Sequence, residues 1–132
     1  MSVTDPVGDY LSRIRNAISA KHEKVDIPAS KVKLELTKIL KEEGFIQNYK
    51  VQQEDKKQGT IRIFLRYTDG VPVITGLKQI TRPGRRMFAK KEAVPKVFSG
   101  LGVSIVSTSR GIMTGDKSHK MGVGGEVLCE IW

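Results

Sequence analysis

Tyr67-Thr68-Asp69-Gly70-Val71-Pro72-Val73 is the stretch on which the reading of the fold turns. Asp-Gly supplies a sharp turn at little steric cost, and Pro72 has no N–H to give to a ladder, so regular structure breaks here. A boundary near residues 68–73 separates a domain of residues 1–70 from one of residues 71–132. Just upstream, Ile61, Ile63, Leu65 and Tyr67 recur at period two and line one face of a strand. An earlier strand, Phe45 to Val51, places Phe45, Gln47, Tyr49 and Val51 on one side and Ile46, Asn48 and Lys50 on the other. The polar run of residues 53–59 between them reads as a solvated turn, which closes a hairpin.

Further upstream the period is helical. Asp5 reads as an N-cap with Pro6 at the first helical position, and Val7, Tyr10, Leu11, Ile14 and Ile18 form an apolar stripe. This predicts a helix from about Pro6 to Lys21. Val25 to Ile27 is extended, because Pro28 disfavours helix at the residue before it. Ser30 then caps a second helix whose apolar face is Val32, Leu36, Ile39 and Leu40, and Gly44 supplies the left-handed stop.

Downstream of the breaker the pieces are shorter. Val73 to Arg82 reads as extended, Pro83-Gly84 as a turn, Arg86 to Lys90 as a short strand, and Ala93 to Ser99 as a brief helix ended by Gly100 and Gly102. Three strands follow, Val103 to Ser107, Gly111 to Met113 and Glu126 to Ile131, with Thr114 to Met121 as a turn or short helix. Val127, Cys129 and Ile131 alternate on one side of the last strand, which makes Cys129 a small core residue. The fold class is α+β: an N-terminal helix-strand-helix-hairpin and a C-terminal, mostly antiparallel sheet with short helices.

Composition narrows the function. The 132 residues carry 23 Lys and Arg against 14 Asp and Glu, a net +9, and at 39% hydrophobic and 28% charged the chain is globular. A single cysteine forms no disulfide framework, and His22 and His119 stand too far apart for a four-ligand zinc motif. The chain has no signal-peptide pattern and no run of about 18 uncharged apolar residues, so a cytoplasmic protein without a membrane partner is expected. Between Lys78 and Lys120, ten Lys or Arg stand against Glu92 and Asp116, a net +8, while the other 89 residues carry +1. Such a concentration is what neutralising a phosphate backbone requires, with affinity that falls as salt rises. With aromatics at 6%, a wide stacking platform for single strands is hard to build, and recognition of a duplex by shape fits better.

Catalytic constellations fare poorly. Residues 111–118 lack phosphate-loop spacing, and Gly122-Val123-Gly124-Gly125 precedes a strand where a dinucleotide fingerprint must open a helix. Asp116, Ser118 and His119 include the residue types of a nucleophile triad, but chain neighbours seldom face each other productively. No enzyme, cofactor or metal is expected. Ser107-Thr108-Ser109-Arg110-Gly111 is more informative: hydroxyls and turn N–H groups donate to phosphate and ribose oxygens, and Gly111 admits close approach, although a solvated β-turn has the same composition. Gly124 and Gly125 offer a second close approach beside Glu126, whose carboxylate can accept from base amino groups or hold the hydroxyls. Phe88, among Arg82, Arg85, Arg86 and Lys90, either stacks on an unpaired base or packs in the core.

Taken in order, Thr4-Asp5-Pro6, Arg13-Ile14-Arg15-Asn16, Ile27-Pro28-Ala29-Ser30, Glu43-Gly44-Phe45-Ile46, Arg82-Pro83-Gly84, Val94-Pro95-Lys96, Gly100-Leu101-Gly102, Ser107-Thr108-Ser109 and Gly124-Gly125-Glu126 closely resemble the bacterial ribosomal protein S8 family over the whole chain. The resemblance implies a two-domain protein of the cytoplasmic ribosome. It would bind the central domain of small-subunit ribosomal RNA at a distorted helical stem, aid subunit assembly, and touch neighbouring small-subunit proteins. It assigns the chief RNA contact to Ser107, Thr108 and Ser109, with Glu126 supporting them, and an N-terminal contact to Lys31. In some members the protein also binds a similar stem in its own operon's messenger RNA and represses translation. Two departures stand out: Phe88 replaces a frequent tyrosine, and Gly115-Asp116-Lys117 replaces the Asp-x-Glu that completes a capping box after Thr114, leaving the helix there in question. Arg86 is expected to be a plain phosphate contact.

Overall fold

The computed structural model describes residues 5–53, 58–90 and 102–132, so the helix expected at Ala93 to Ser99 lies outside the described residues. The chain forms two compact units, Asp9–Thr75, and Met1–Gly8 with Gly76–Trp132.

Helix α1 spans Pro6–Ser19 and buries Tyr10, Leu11, Ile14 and Ala17. Its cap is Asp5, whose Oδ1 accepts from Gly8 N at 3.0 Å. The helix ends ahead of the expected Lys21 because Lys21 itself takes a left-handed conformation (φ 56°), and His22 N donates back to Ala17 O at 2.9 Å. Strand β1 is Lys24–Pro28, and helix α2 is Lys31–Glu42. Ser30 caps α2 by accepting from Lys33 N at 3.2 Å, and Gly44 (φ 79°) stops it. Tyr10 Oη and Thr37 Oγ1, both buried, meet at 2.7 Å and tie α1 to α2.

Strands β2 (Ile46–Gln52) and β3 (Thr60–Leu65) complete a three-stranded antiparallel sheet in the order β1-β3-β2. The alternation expected for Phe45 to Val51 is corrected by a bulge at Gln47: Ile46 pairs with Leu65 and Asn48 with Phe64, so one extra residue resets the pleat. Ile46, Tyr49 and Val51 therefore share the face of Leu65, Ile63 and Ile61. Tyr67 does not continue β3. It opens strand β4 (Tyr67–Thr68), which pairs with β5 (Val71–Pro72) across Asp69 (φ 51°) and Gly70 (φ 78°). Positive φ at both central residues is the hairpin turn that Asp-Gly favours.

Two carboxylates in this unit sit below their ordinary range. Arg62 donates to both oxygens of Asp26 at 2.8 and 3.1 Å, and Asp9 is lowered chiefly by the Lys33 ammonium at 2.9 Å, with Arg13 adding to it. A carboxyl lowered in the folded state stabilises the protein above its unfolded value, and that stabilisation is lost as pH falls through the folded one. The melting temperature is therefore expected to fall as pH drops below about 4, and D26N to flatten that fall, as melts across the acid range will show.

The second unit is built on an antiparallel sheet of β6 (Leu77–Gln79), β7 (Phe88–Ala89), β8 (Val103–Thr108), β9 (Gly111–Thr114) and β10 (Gly125–Ile131). The order is β6-β10-β8-β9, with β7 also on β10. The expected alternation of Val127, Cys129 and Ile131 is corrected as well. Val127 pairs with Val106 and Cys129 with Ile105, so Leu128 is bulged out and Val127 and Cys129 face opposite ways. Cys129 is nonetheless fully buried, and desolvation pushes its thiol up to about 12. Helix α3, Gly115–Met121, forms without the complete capping box, because Thr114 Oγ1 still accepts from Lys117 N at 3.2 Å and Gly122 (φ 69°) closes the end.

Candidate nucleic-acid interface

Residues directly opposite in antiparallel strands point to the same face, so the registers locate the site. Phe88 pairs with Glu126, Glu126 with Ser107, and Ser107 with Ile112: one row crosses β7, β10, β8 and β9. The next row is Ala89, Gly125, Thr108 and Gly111. It is nearly bare of side chains. A Cβ on Gly125 would lie 2.1 Å from Ser107 O, so β8 and β10 approach there as only glycine allows.

Phe88 is 73% exposed, which removes the core alternative. Its strand is only two residues long, and the row it belongs to carries Glu126 and Ser107 instead of a core layer. With Ala89, Lys90, Gly124 and Gly125 it borders an open hollow of about 530 Å³.

The hydroxyl run is divided by the turn that it makes. Thr108 Oγ1 donates to Gly111 O at 2.8 Å and accepts from Arg110 N at 3.0 Å, so this hydroxyl locks the β8–β9 hairpin. Ser107 is half-buried beside Glu126, while Ser109 and Arg110 are exposed at the tip.

Arg82 and Arg85 bracket the Pro83-Gly84 turn, each backbone N bonding the other's O at 2.9 Å. The turn is held by Thr81, which sequence reading missed. This buried hydroxyl donates to Val127 O at 2.7 Å and accepts from Met87 N at 3.2 Å, while Val127 N donates to Met87 O at 2.9 Å. Its partner lies 46 positions away, and no local pattern signals such a pairing. Arg86 is not simply presented to solvent: its Nη1 stands 3.5 Å from Glu126 Oε1.

Lys31 belongs to the other unit, exposed at the start of α2, where it borders a hollow with Ser30, Leu34, Val51 and Ile61. Ser118 is buried and donates to Val123 O, so it holds the end of α3 and serves no nucleophile triad.

Counted by folded unit, the charge excess is not confined to the basic segment. Asp5, Glu126 and Glu130 fold together with it, so that unit carries +5 and the Asp9–Thr75 unit +4. Both units expose cations without a carboxylate partner among the described residues, Lys21, Lys31, Lys41, Lys50 and Arg66 in Asp9–Thr75 among them, but they differ in how many cations ion pairs take up. In Asp9–Thr75, Arg13 and Lys33 pair with Asp9, Lys38 with Glu35, and Arg62 with Asp26. In the other unit Lys78, Arg82, Arg85, Lys90, Arg110, Lys117 and Lys120 are all exposed, and none has a carboxylate partner among the described residues. Cations without an internal partner are the ones available to phosphate.

The family model described as ribosomal protein S8 matches residues 5–132. The chain is similar to the small ribosomal subunit protein uS8 of Thermodesulfovibrio yellowstonii, 56% identical over 131 residues that cover 98% of this chain and 99% of that one. Its counterpart from Clostridioides difficile is 56% identical with both chains covered in full, and the one from Halalkalibacterium halodurans is 53% identical over the same extent. A sheet face with an exposed ring and hydroxyls, in a chain matched along its whole length, leads to one conclusion: the protein belongs to the ribosomal protein S8 family, structural constituents of the small ribosomal subunit and not enzymes.

Proposed function

We propose that the chain binds the central domain of small-subunit ribosomal RNA at a distorted helical stem, through the unit that holds β6 to β10, and thereby aids assembly of the subunit. The observation that carries this reading is the Phe88-Glu126-Ser107-Ile112 row, in a unit that exposes seven cations without a carboxylate partner among the described residues. Arg82, Arg85 and Arg110 supply sequence-independent attraction to phosphates, and Lys31 adds a contact from the other unit. Ser109, Ser107 and Glu126 discriminate: their donors and acceptor meet ribose and base edges that only an irregular stem presents. The bare strip at Gly124 and Gly125 lets the RNA backbone come close.

Binding to the stem fragment and to a regular duplex of equal length, titrated across salt, tests the assignment. R82A, R85A and R110A are each expected to weaken both RNAs alike and to reduce the salt slope by about one. S109A is expected to weaken the distorted stem about fivefold more than the duplex, in the range of one lost hydrogen bond. Equal loss on both RNAs removes Ser109 from the discriminating set. A chain that fails to co-sediment with small subunits at high salt, yet binds a matching stem in its own messenger, would act as a translational repressor instead.

A further inference from the structure

The arginine hairpin divides its labour. Arg82 and Arg85 reach solvent with no carboxylate partner among the described residues, whereas Arg86, from the same hairpin, stands 3.5 Å from Glu126. This placement is built by the fold. The bulged Leu128 offers its carbonyl to Ile80 N at 3.0 Å and Thr81 N at 3.3 Å, which draws the chain in beside β10. Thr81 then clasps both ends of the hairpin: its hydroxyl bonds Val127 O and Met87 N, and Met87 O accepts from Val127 N. Residue 86 is thereby carried next to residue 126, the position just before the clasped Val127.

Glu126 needs such a neighbour. Its side chain is 19% exposed, it lies between Phe88 and Ser107 in the row, and it is an anion on a surface meant for phosphates. Unneutralised, it would repel the ligand and could turn away from the hydroxyl side of the row. We infer that Arg86 is a positioning residue that neutralises Glu126 and holds it toward Ser107, so that it serves selectivity among RNAs and not general attraction to phosphate. The inference rests on the function proposed above and deepens it. It also reverses what composition suggests, since an exposed arginine in a basic run reads as a phosphate contact. A guanidinium already opposed by a carboxylate displaces no net counterion when RNA binds, whereas Arg82 does.

The test uses the full chain, the distorted stem fragment and a regular duplex, at several salt concentrations. R86A is expected to weaken the stem about tenfold and the duplex less than about twofold, with the salt slope unchanged. In an E126Q background the same substitution is expected to cost less than about twofold, because the pair acts as one unit. R86Q, which keeps most of the aliphatic stem, reads the same outcomes should truncation loosen the hairpin. Equal weakening of both RNAs with a slope lowered by about one, or losses from R86A and E126Q that simply multiply, overturns the inference. A wild-type chain that binds stem and duplex equally overturns the functional reading, and the inference with it; selectivity that survives in R86A overturns the inference alone.

Discussion

Replacing Gly125 with alanine is expected to cost about 3 kcal/mol of folding stability, near the upper end of overpacking penalties, and to weaken RNA binding with it. The added Cβ would stand 2.1 Å from Ser107 O, 2.9 Å from Ser107 C and 3.1 Å from Thr108 Cα. All three are backbone atoms, and none can rotate aside as a side-chain tip would. Relief requires β10 and β8 to separate at Gly125 and Thr108, which disturbs the Glu126–Ser107 pair next to it. Chemical denaturation gives the stability change, and binding to the stem fragment gives the functional one. G84A is the matched control: a Cβ there meets nothing within 4 Å, so it should fall within about 0.5 kcal/mol of wild type. If G125A is equally mild, the close approach is not a constraint and the strip can carry side chains.

Phe88→Ala carries the second large effect, and it should separate affinity from stability. The ring is 73% exposed, so the fold gives up little buried surface with it. On the proposed reading the ring stacks on an unpaired base of the stem. Its loss is then expected to cost about 2 kcal/mol of binding, roughly thirtyfold, while the denaturation midpoint stays put. F88Y keeps the stacking face and adds a hydroxyl at its edge, so it should bind at least as tightly as wild type. A loss of stability without a loss of affinity would make the ring a packing element and take it out of the interface.

Much of the architecture was legible from local chemistry. Asp5 and Ser30 cap helices because their oxygens reach N–H groups three residues on, and Gly44 and the Asp69-Gly70 pair mark stops and turns because they tolerate positive φ. The helix end at Lys21 was not legible, since a lysine carries no sign that it will adopt the conformation glycine favours. Neither were the bulges at Gln47 and Leu128, because the residues on either side of each can be read at period two as though the pleat ran on unbroken, and only the register with the partner strand shows the extra residue. In the site, the Ser107-Thr108-Ser109 run announced a turn, but not that Thr108 would spend its hydroxyl inside it.

Sequence alone determined the helix caps, the glycine and proline turns, the excess of cations and the family, because each depends on residue type and near spacing. Tertiary structure decided which cations are spoken for and which are free. It also set Phe88 outward, bound Thr81 across 46 positions to Val127, and carried Arg86 to Glu126. These outcomes depend on strand register and on a single inserted residue at Leu128. A one-residue shift in pairing exchanges the faces of a strand while leaving its composition untouched.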